Sequence, residues 1–239
     1  MDFNKERFFD FFQGLTFDEP NHVYSWEKEK VQYSVSGLIK KFIIPTDFFA
    51  ISEVVAKKEG RTAEEIRKRW EFKKNKSCRL GTEVHLFGEL YPFNPHLTPS
   101  NGYEKAVVKF WSGLPDFIVP VVMELQMYHK KYKFAGTADI LLYDTRDGSY
   151  IIADYKTNED LFKNFRGKKL KAPFDHLLEN SFNKYQLQLS FYQLLFEQLG
   201  LTVSKRKLIW LRPSGEFAMY DCKDYTKELE ECLSKGLAA

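Results

Sequence analysis

The stretch GTADILLYDTRDGSYIIADYK, residues 136–156, decides how the rest of the chain is read. It contains two short, apolar and β-branched runs, Gly136–Tyr143 and Tyr150–Lys156. Between them Asp144–Ser149 carries an Asp-Gly pair, the signal of a tight hairpin turn. With a strand period of two, Ile152, Asp154 and Lys156 share one face, and Asp139 shares a face with Leu141. A carboxylate and an ammonium therefore stand together at the end of an apolar strand. One reading is a structural ion pair, because buried charges are kept when paired. A third acid, Glu124, lies in the preceding run Phe117–Met127, on a face expected to include Val122 and Gln126. Three carboxylates against one lysine leave a negative excess that a divalent cation would remove. Hard oxygen ligands in this number suit Mg²⁺ or Mn²⁺, one or two per site.

Composition narrows the setting. The chain has 239 residues, 44 % hydrophobic and 29 % charged, which is ordinary for a soluble globular protein and needs no disulfide or metal staple. No apolar run approaches the ~20 residues that span a bilayer, and the N-terminus alternates charge with Phe instead of building a leader core. Cys78, Cys222 and Cys232 lack any Cys-x-x-Cys spacing, which excludes a four-thiolate zinc or iron–sulfur cluster and points to a reducing, cytoplasmic compartment.

Along the chain the pattern predicts helix over residues 4–13, with Phe8, Phe9 and Phe12 on one side. A hairpin is expected from His22–Trp26 and Val31–Val35, then a helix capped by Ser36 and another opened by Asp47. The box Thr62-Ala63-Glu64-Glu65 starts a basic helix to about Asn75. Separate helices follow over Ser77–Tyr91 and Tyr103–Trp111, with a Pro-rich break between them. After the three strands come a long, nearly all-round apolar helix Ser181–Leu199, a strand Ser204–Leu211, a turn Pro213–Gly215 and a closing helix Thr226–Lys235. The expected fold class is α/β: a central mixed sheet flanked by helices, with a helical N-terminal part. We expect one domain over 1–239, divided into an N-terminal hairpin and helical part (1–75), a catalytic core (76–212) and a C-terminal hairpin strand and helix (213–239).

At these residues the sequence resembles a known family. Gly136-Thr137-Ala138-Asp139, followed by Asp154-Tyr155-Lys156, is similar to the GxxD…(D/E)xK core of the PD-(D/E)XK nuclease superfamily. Gly81-Thr82-Glu83-Val84-His85 resembles the GxxxH helix motif of its RecB-type branch, and Gln188…Tyr192 resembles the QxxxY motif of the same branch. Ser34-Val35-Ser36-Gly37-Leu38 is similar to the SVT-like opening of stand-alone members such as phage exonucleases and the mitochondrial genome maintenance exonuclease. The resemblance spans roughly residues 22–212. It implies a restriction-endonuclease-like core with His85, Asp139, Asp154, the Tyr155 carbonyl and Glu124 (directly or through water) around the metal. It further implies that Gly81 lets its helix approach the sheet, that Lys156 orients the attacking water, and that Gln188, supported by Tyr192, holds the lysine or the DNA backbone.

The reaction so implied is Mg²⁺- or Mn²⁺-dependent hydrolysis of DNA, most simply as an exonuclease acting on single-stranded ends in replication, recombination or repair. A bacterial or phage-infected cell is the expected setting, and a helicase or single-strand-binding protein the expected company. A structure-specific or defensive endonuclease and a catalytically idle DNA-binding subunit are the alternatives. Two basic segments fit a polyanionic substrate: Lys73, Lys74 and Lys76 within a run of eight basic residues against three glutamates (61–79), and Lys163, Arg166, Lys168, Lys169 and Lys171.

Overall fold

The computed structural model describes residues 6–237. Helix α1 (Glu6–Phe11) lies inside the expected helix, whose residues 4 and 5 fall outside the described residues. Phe8 and Phe12 are buried, but Phe9 is 56 % exposed and does not join them.

A small antiparallel sheet follows, with β1 (Leu15–Asp18), β2 (Val23–Trp26) and β3 (Glu29–Lys30) in that order. Glu27 and Lys28, at φ 51° and 72°, supply the two left-handed residues of a two-residue hairpin turn. The second hairpin strand is therefore Glu29–Lys30, two residues that lie before the expected Val31–Val35. The chain then leaves this sheet: β4 (Tyr33–Ser34) pairs in parallel with Phe134 and Ala135 of the main sheet. Ser34, not Ser36, caps α2 (Val35–Lys41), accepting the Gly37 N–H at 3.1 Å.

Asp47 caps α3 (Phe48–Glu59) as expected. Beyond it the two predicted helices are one: α4 (Ala63–Leu90) runs unbroken for 28 residues from the Thr62–Glu65 capping box. Asn75, Ser77 and Gly81 are weak helix formers, costing up to about 1 kcal/mol each, but none removes a backbone donor as proline would. Helix α5 (Gly102–Ser112) is capped by Asn101.

The remaining elements are β5 (Ile118–His129), β6 (Phe134–Asp144), β7 (Ser149–Lys156), α6 (Ser181–Glu197), β8 (Val203–Leu211), β9 (Phe217–Asp221) and α7 (Thr226–Ser234). The main sheet has the order β4-β6-β7-β8-β9, with β5 on the other edge of β6. Strand β7 runs antiparallel to β6 and parallel to β8, so the sheet is mixed. Leu187, Phe191 and Leu195 of α6 cover one face with Ile152 and Leu208. Val84 of α4 and Val107 and Phe110 of α5 cover the other with Tyr155 and Ile209. Each such side chain contributes about 1.5–3 kcal/mol on full burial. The architecture is the α/β class expected.

One irregularity of the sheet positions the acids. On a single edge of β6, β4 pairs with residues 134–135 and β7 pairs from Ile140 onward. Gly136–Asp139 between them have no strand partner on that edge among the described residues. Past Ala153, β7 keeps only β8 as a neighbour. The ladder splits, and the acids of both strands stand at the split.

Candidate active site

Asp139 and Asp154 flank the opening. Asp139, 9 % exposed, accepts the Tyr155 N–H on Oδ2 at 2.9 Å, so a carboxylate takes the place of a strand carbonyl where β6 and β7 part. Helix α4 brings His85 to the same place, with Nδ1 3.3 Å from Asp139 Oδ2 and 3.8 Å from Glu124 Oε1. His85, Glu124 and Asp139 each offer a ligand atom, all within 4.8 Å of one another.

Glu124 reaches this cluster by an unusual route. It has φ 52°, a left-handed conformation that costs a non-glycine residue of order 1 kcal/mol. Alternation breaks there: Val122 and Leu125 both pack beneath α6, while Met123 packs against the α4 and α5 side. The expected shared face of Val122, Glu124 and Gln126 is thus not formed; Val122 is buried and Gln126 exposed.

Asp154 is 1 % exposed and ion-paired through Oδ2 with Lys156 Nζ, yet neither of its oxygens accepts a well-directed hydrogen bond. Lys156 also lies 4.7 Å from the centre of the Tyr185 ring. Burial and Asp139 push the Asp154 carboxyl up to about 6 against the pull of Lys156. For His85 burial acts downward, but Asp139 and Glu124 outweigh it and hold the imidazole near 9. Burial raises Asp139 as well, with His85 and Lys156 opposing.

Tyr155 turns its ring to the opposite face, where Trp111 Nε1–H donates to its hydroxyl at 2.7 Å. It meets the cluster through its amide, which Asp139 accepts, and through its ring, edge-on to that of His85 with the centres 6.1 Å apart. Gly81 does not bring α4 to the sheet: a Cβ there would meet nothing within 4 Å. Gly88 does, since its Cβ would lie 2.5 Å from Tyr155 Cε2. Gly136 serves α2 and α6 in the same way: a Cβ on it would lie 2.7 Å from Val35 Cγ2 and 3.0 Å from Tyr192 Cε1.

The sequence profile of the PD-(D/E)XK nuclease superfamily matches residues 54–231, most of the chain. The chain belongs to this superfamily. No curated protein matches it. Among solved structures, one described as the crystal structure of SSO0001 is similar with a TM-score of 0.30 and 20 % identity, over 48 % of this chain and 47 % of that one. The chain thus spans about half the length of that structure.

The superfamily is one of nucleases. The residues present fit a divalent ion: an imidazole and two carboxylates converge, and beside them Asp154 keeps two buried oxygens without directed hydrogen-bond donors. Gln188 donates to the Tyr192 hydroxyl at 2.7 Å, and both line a cavity of about 390 Å³ with Tyr24, Ser34, Lys40 and Thr137. Tyr24 bonds Thr137 at 2.8 Å. Sequence reasoning passed over Tyr24 and Tyr185. Tyr185 carried a signal, since it falls three and seven residues before Gln188 and Tyr192 on one helix face. Glu89, one turn beyond His85 on α4, lines another cavity with Phe93 and Met123.

Among the basic residues, Lys168 is bound within the protein. It donates to Ile44 O at 2.7 Å and Thr46 Oγ1 at 3.0 Å and pairs with Glu179 at 3.1 Å. Lys163, Arg166, Lys169 and Lys171 are exposed on the same loop, as are Lys73, Lys74 and Lys76 on α4. No helix among the described residues is long and apolar enough to cross a membrane.

Proposed function

We propose that this nuclease hydrolyses single-stranded DNA from an end, as a stand-alone member of the RecB-type branch. The observation that carries the nuclease chemistry is the convergence of His85, Glu124 and Asp139 beside the buried Asp154–Lys156 pair at the split in the sheet. In this reading His85, Glu124, Asp139 and Asp154 hold the metal ion, which when bound polarises the scissile phosphate and lowers the pKa of the attacking water. Lys156, kept protonated because Asp154 and Asp139 outweigh the effect of burial, offsets charge growing on the phosphate oxygens. Tyr185, over whose ring the ammonium sits, and the Asp154 carboxylate fix its position.

The end-acting part of the reading draws on the adjacent cavity. Its volume, about 390 Å³, is at the small end of ligand pockets, which run to roughly 300–1,000 Å³. Its polar wall of Ser34, Lys40, Thr137 and Gln188 suits one terminal nucleotide. The branch assignment rests on the GxxxH and QxxxY resemblances, and a role in replication, recombination or repair follows from it.

The test is digestion of matched linear and circular single-stranded DNA in Mn²⁺ or Mg²⁺, with Asp154→Asn as control. Loss of the linear form alone, abolished in the variant, is the expected result. Cutting of the circle would replace the exonuclease reading with an endonuclease one, and turnover by Asp154→Asn would remove the assigned site.

A further inference from the structure

Helix α4 is buried at two places and bare between them. Ile66 and Trp70 pack toward α3, and Val84 and Gly88 pack toward the sheet. These pairs are 18 residues apart, five full turns, so α3 and the sheet lie on the same side of α4. Every residue from Glu71 to Arg79 between them is exposed. The interval is therefore a notch about 14 Å long, floored by α4 and walled by α3 at one end and the catalytic split at the other. Helical phase puts Lys73, Lys74 and Ser77 on the floor, and Phe72 and Arg79 on the outer side. Gly81, with open space where a side chain would be, continues the floor to within one turn of His85.

The walls and floor have a definite chemistry. Residues 47–79 hold ten basic and six acidic side chains, a net +4 against +3 for the whole chain. The acids of the α3 end are largely used internally: Glu59 pairs with Arg61 and Arg69, Glu53 with Arg67, and Glu64 with Lys68. Lys73 and Lys74 have no acidic partner among the described residues. At the α3 wall Phe48 and Phe49 are 62 % and 71 % exposed; Arg67 covers one face of Phe49 at 5.0 Å, and Phe48 stands edge-on to Trp70. Unpaired cations beside exposed rings fit a polyanion with free π-faces.

We infer that this notch is a single-strand track: the phosphate backbone leaving the active site passes over Gly81, lies on Lys73 and Lys74, and stacks a base on Phe49. The inference rests on the nuclease reading for the direction of the track. It extends that reading by naming what selects single strands: bases in a duplex are already stacked, so only an unpaired base can use the ring.

The test is anisotropy of a fluorescein-labelled oligodeoxythymidylate of about 20 nucleotides, and of a matched duplex, in EDTA. Phe49→Ala should weaken the single strand roughly 5- to 150-fold, as loss of one stacked base does, and leave the duplex unchanged. The Lys73→Gln/Lys74→Gln pair should flatten the slope of log K against log salt by about 1.4. Phe72→Ala, equally exposed but on the outer side, should bind as wild type. Wild-type binding by both the Phe49 and the lysine variants overturns the track, as does an equal loss from Phe72→Ala. A wild-type dimer that Phe49→Ala dissociates in sedimentation also overturns it, since the face would then serve self-association. Wild-type digestion in Mn²⁺ is scored separately: failure to cleave with these binding losses intact removes the nuclease reading and leaves the track.

Discussion

Two glycines of α4, seven residues apart, should respond oppositely to the same added methyl group. In a helix interior Gly→Ala gains about 1 kcal/mol from reduced backbone freedom, wherever the new side chain has room. At Gly81 it has room, so Gly81→Ala should stabilise by about that amount, raising Tm by roughly 2–4 °C for a chain of this length. At Gly88 the methyl carbon would lie 2.5 Å from Tyr155 Cε2. The ring cannot swing away: it is 2 % exposed, held by Trp111 through its hydroxyl and met edge-on by Phe110 at 6.0 Å. Overpacking of this kind costs about 1–3 kcal/mol, so Gly88→Ala should fall below Gly81→Ala by that margin. Urea titration of both variants at equal m-value measures the difference. The Tyr155 amide holds Asp139, so the displacement should also lower cleavage in Mn²⁺. Equal stability of the two variants would refute the argument that Gly88 seats α4 on the sheet.

Removing one member of the buried Asp154–Lys156 pair should cost more than replacing both. Lys156→Met leaves a buried carboxyl unpaired, at about 3–5 kcal/mol, and adding Asp154→Asn should recover most of it in urea titration; a double variant as unstable as the single would sink this. Mn²⁺ binding should release protons near neutral pH and tighten as pH rises toward 9, since the ion displaces the His85 proton. Calorimetry in two buffers of different ionisation enthalpy reads that release, and identical heats would contradict it. Away from the site, burial holds His129 near 4, and its Nδ1 accepts the Tyr132 N–H at 3.3 Å. A folded pKa below the unfolded 6.5 means full stability above pH 6.5 and loss as pH falls toward 4, up to roughly 3 kcal/mol. That loss should appear relative to His129→Asn, and parallel stability curves would refute it.

The hairpin β6–β7, the capping box at Thr62 and the long α6 were legible because each carries a local signal: an Asp-Gly turn, a Thr…Glu pair, an apolar helix face. What escaped was set by non-local packing. Strand β4 is two residues long and exists only because Phe134 and Ala135 offer it a partner, and it moved the cap of α2 from Ser36 to Ser34. The single span of α4 escaped for the opposite reason: weak helix formers at 75–81 read as a boundary when no turn residue enforced one. Gly81 drew attention by its place one turn before His85, whereas the glycine that seats the helix, Gly88, lies on the stripe of Val84 and is identifiable only once that stripe is known to face Tyr155.

At Glu124 the sequence pointed to the right conflict through the wrong geometry. A period-two strand places Glu124 on one face with Val122 and Gln126; with its left-handed φ Glu124 stands instead 3.8 Å from His85. Residues 124–156 bring three carboxylates and one lysine to the same place in the fold, and burial there shifts the groups around them. His85 keeps a proton to about 9, and Asp154 takes one up at about 6, because neither Lys156 nor solvent can balance three acids at a split in a buried sheet. A strand that spends about 1 kcal/mol of backbone strain to bring a second carboxylate beside His85 also sets that carboxylate against Asp139, a repulsion that a bound cation would relieve. That strain, more than the acids themselves, argues that the cluster is arranged for a metal ion.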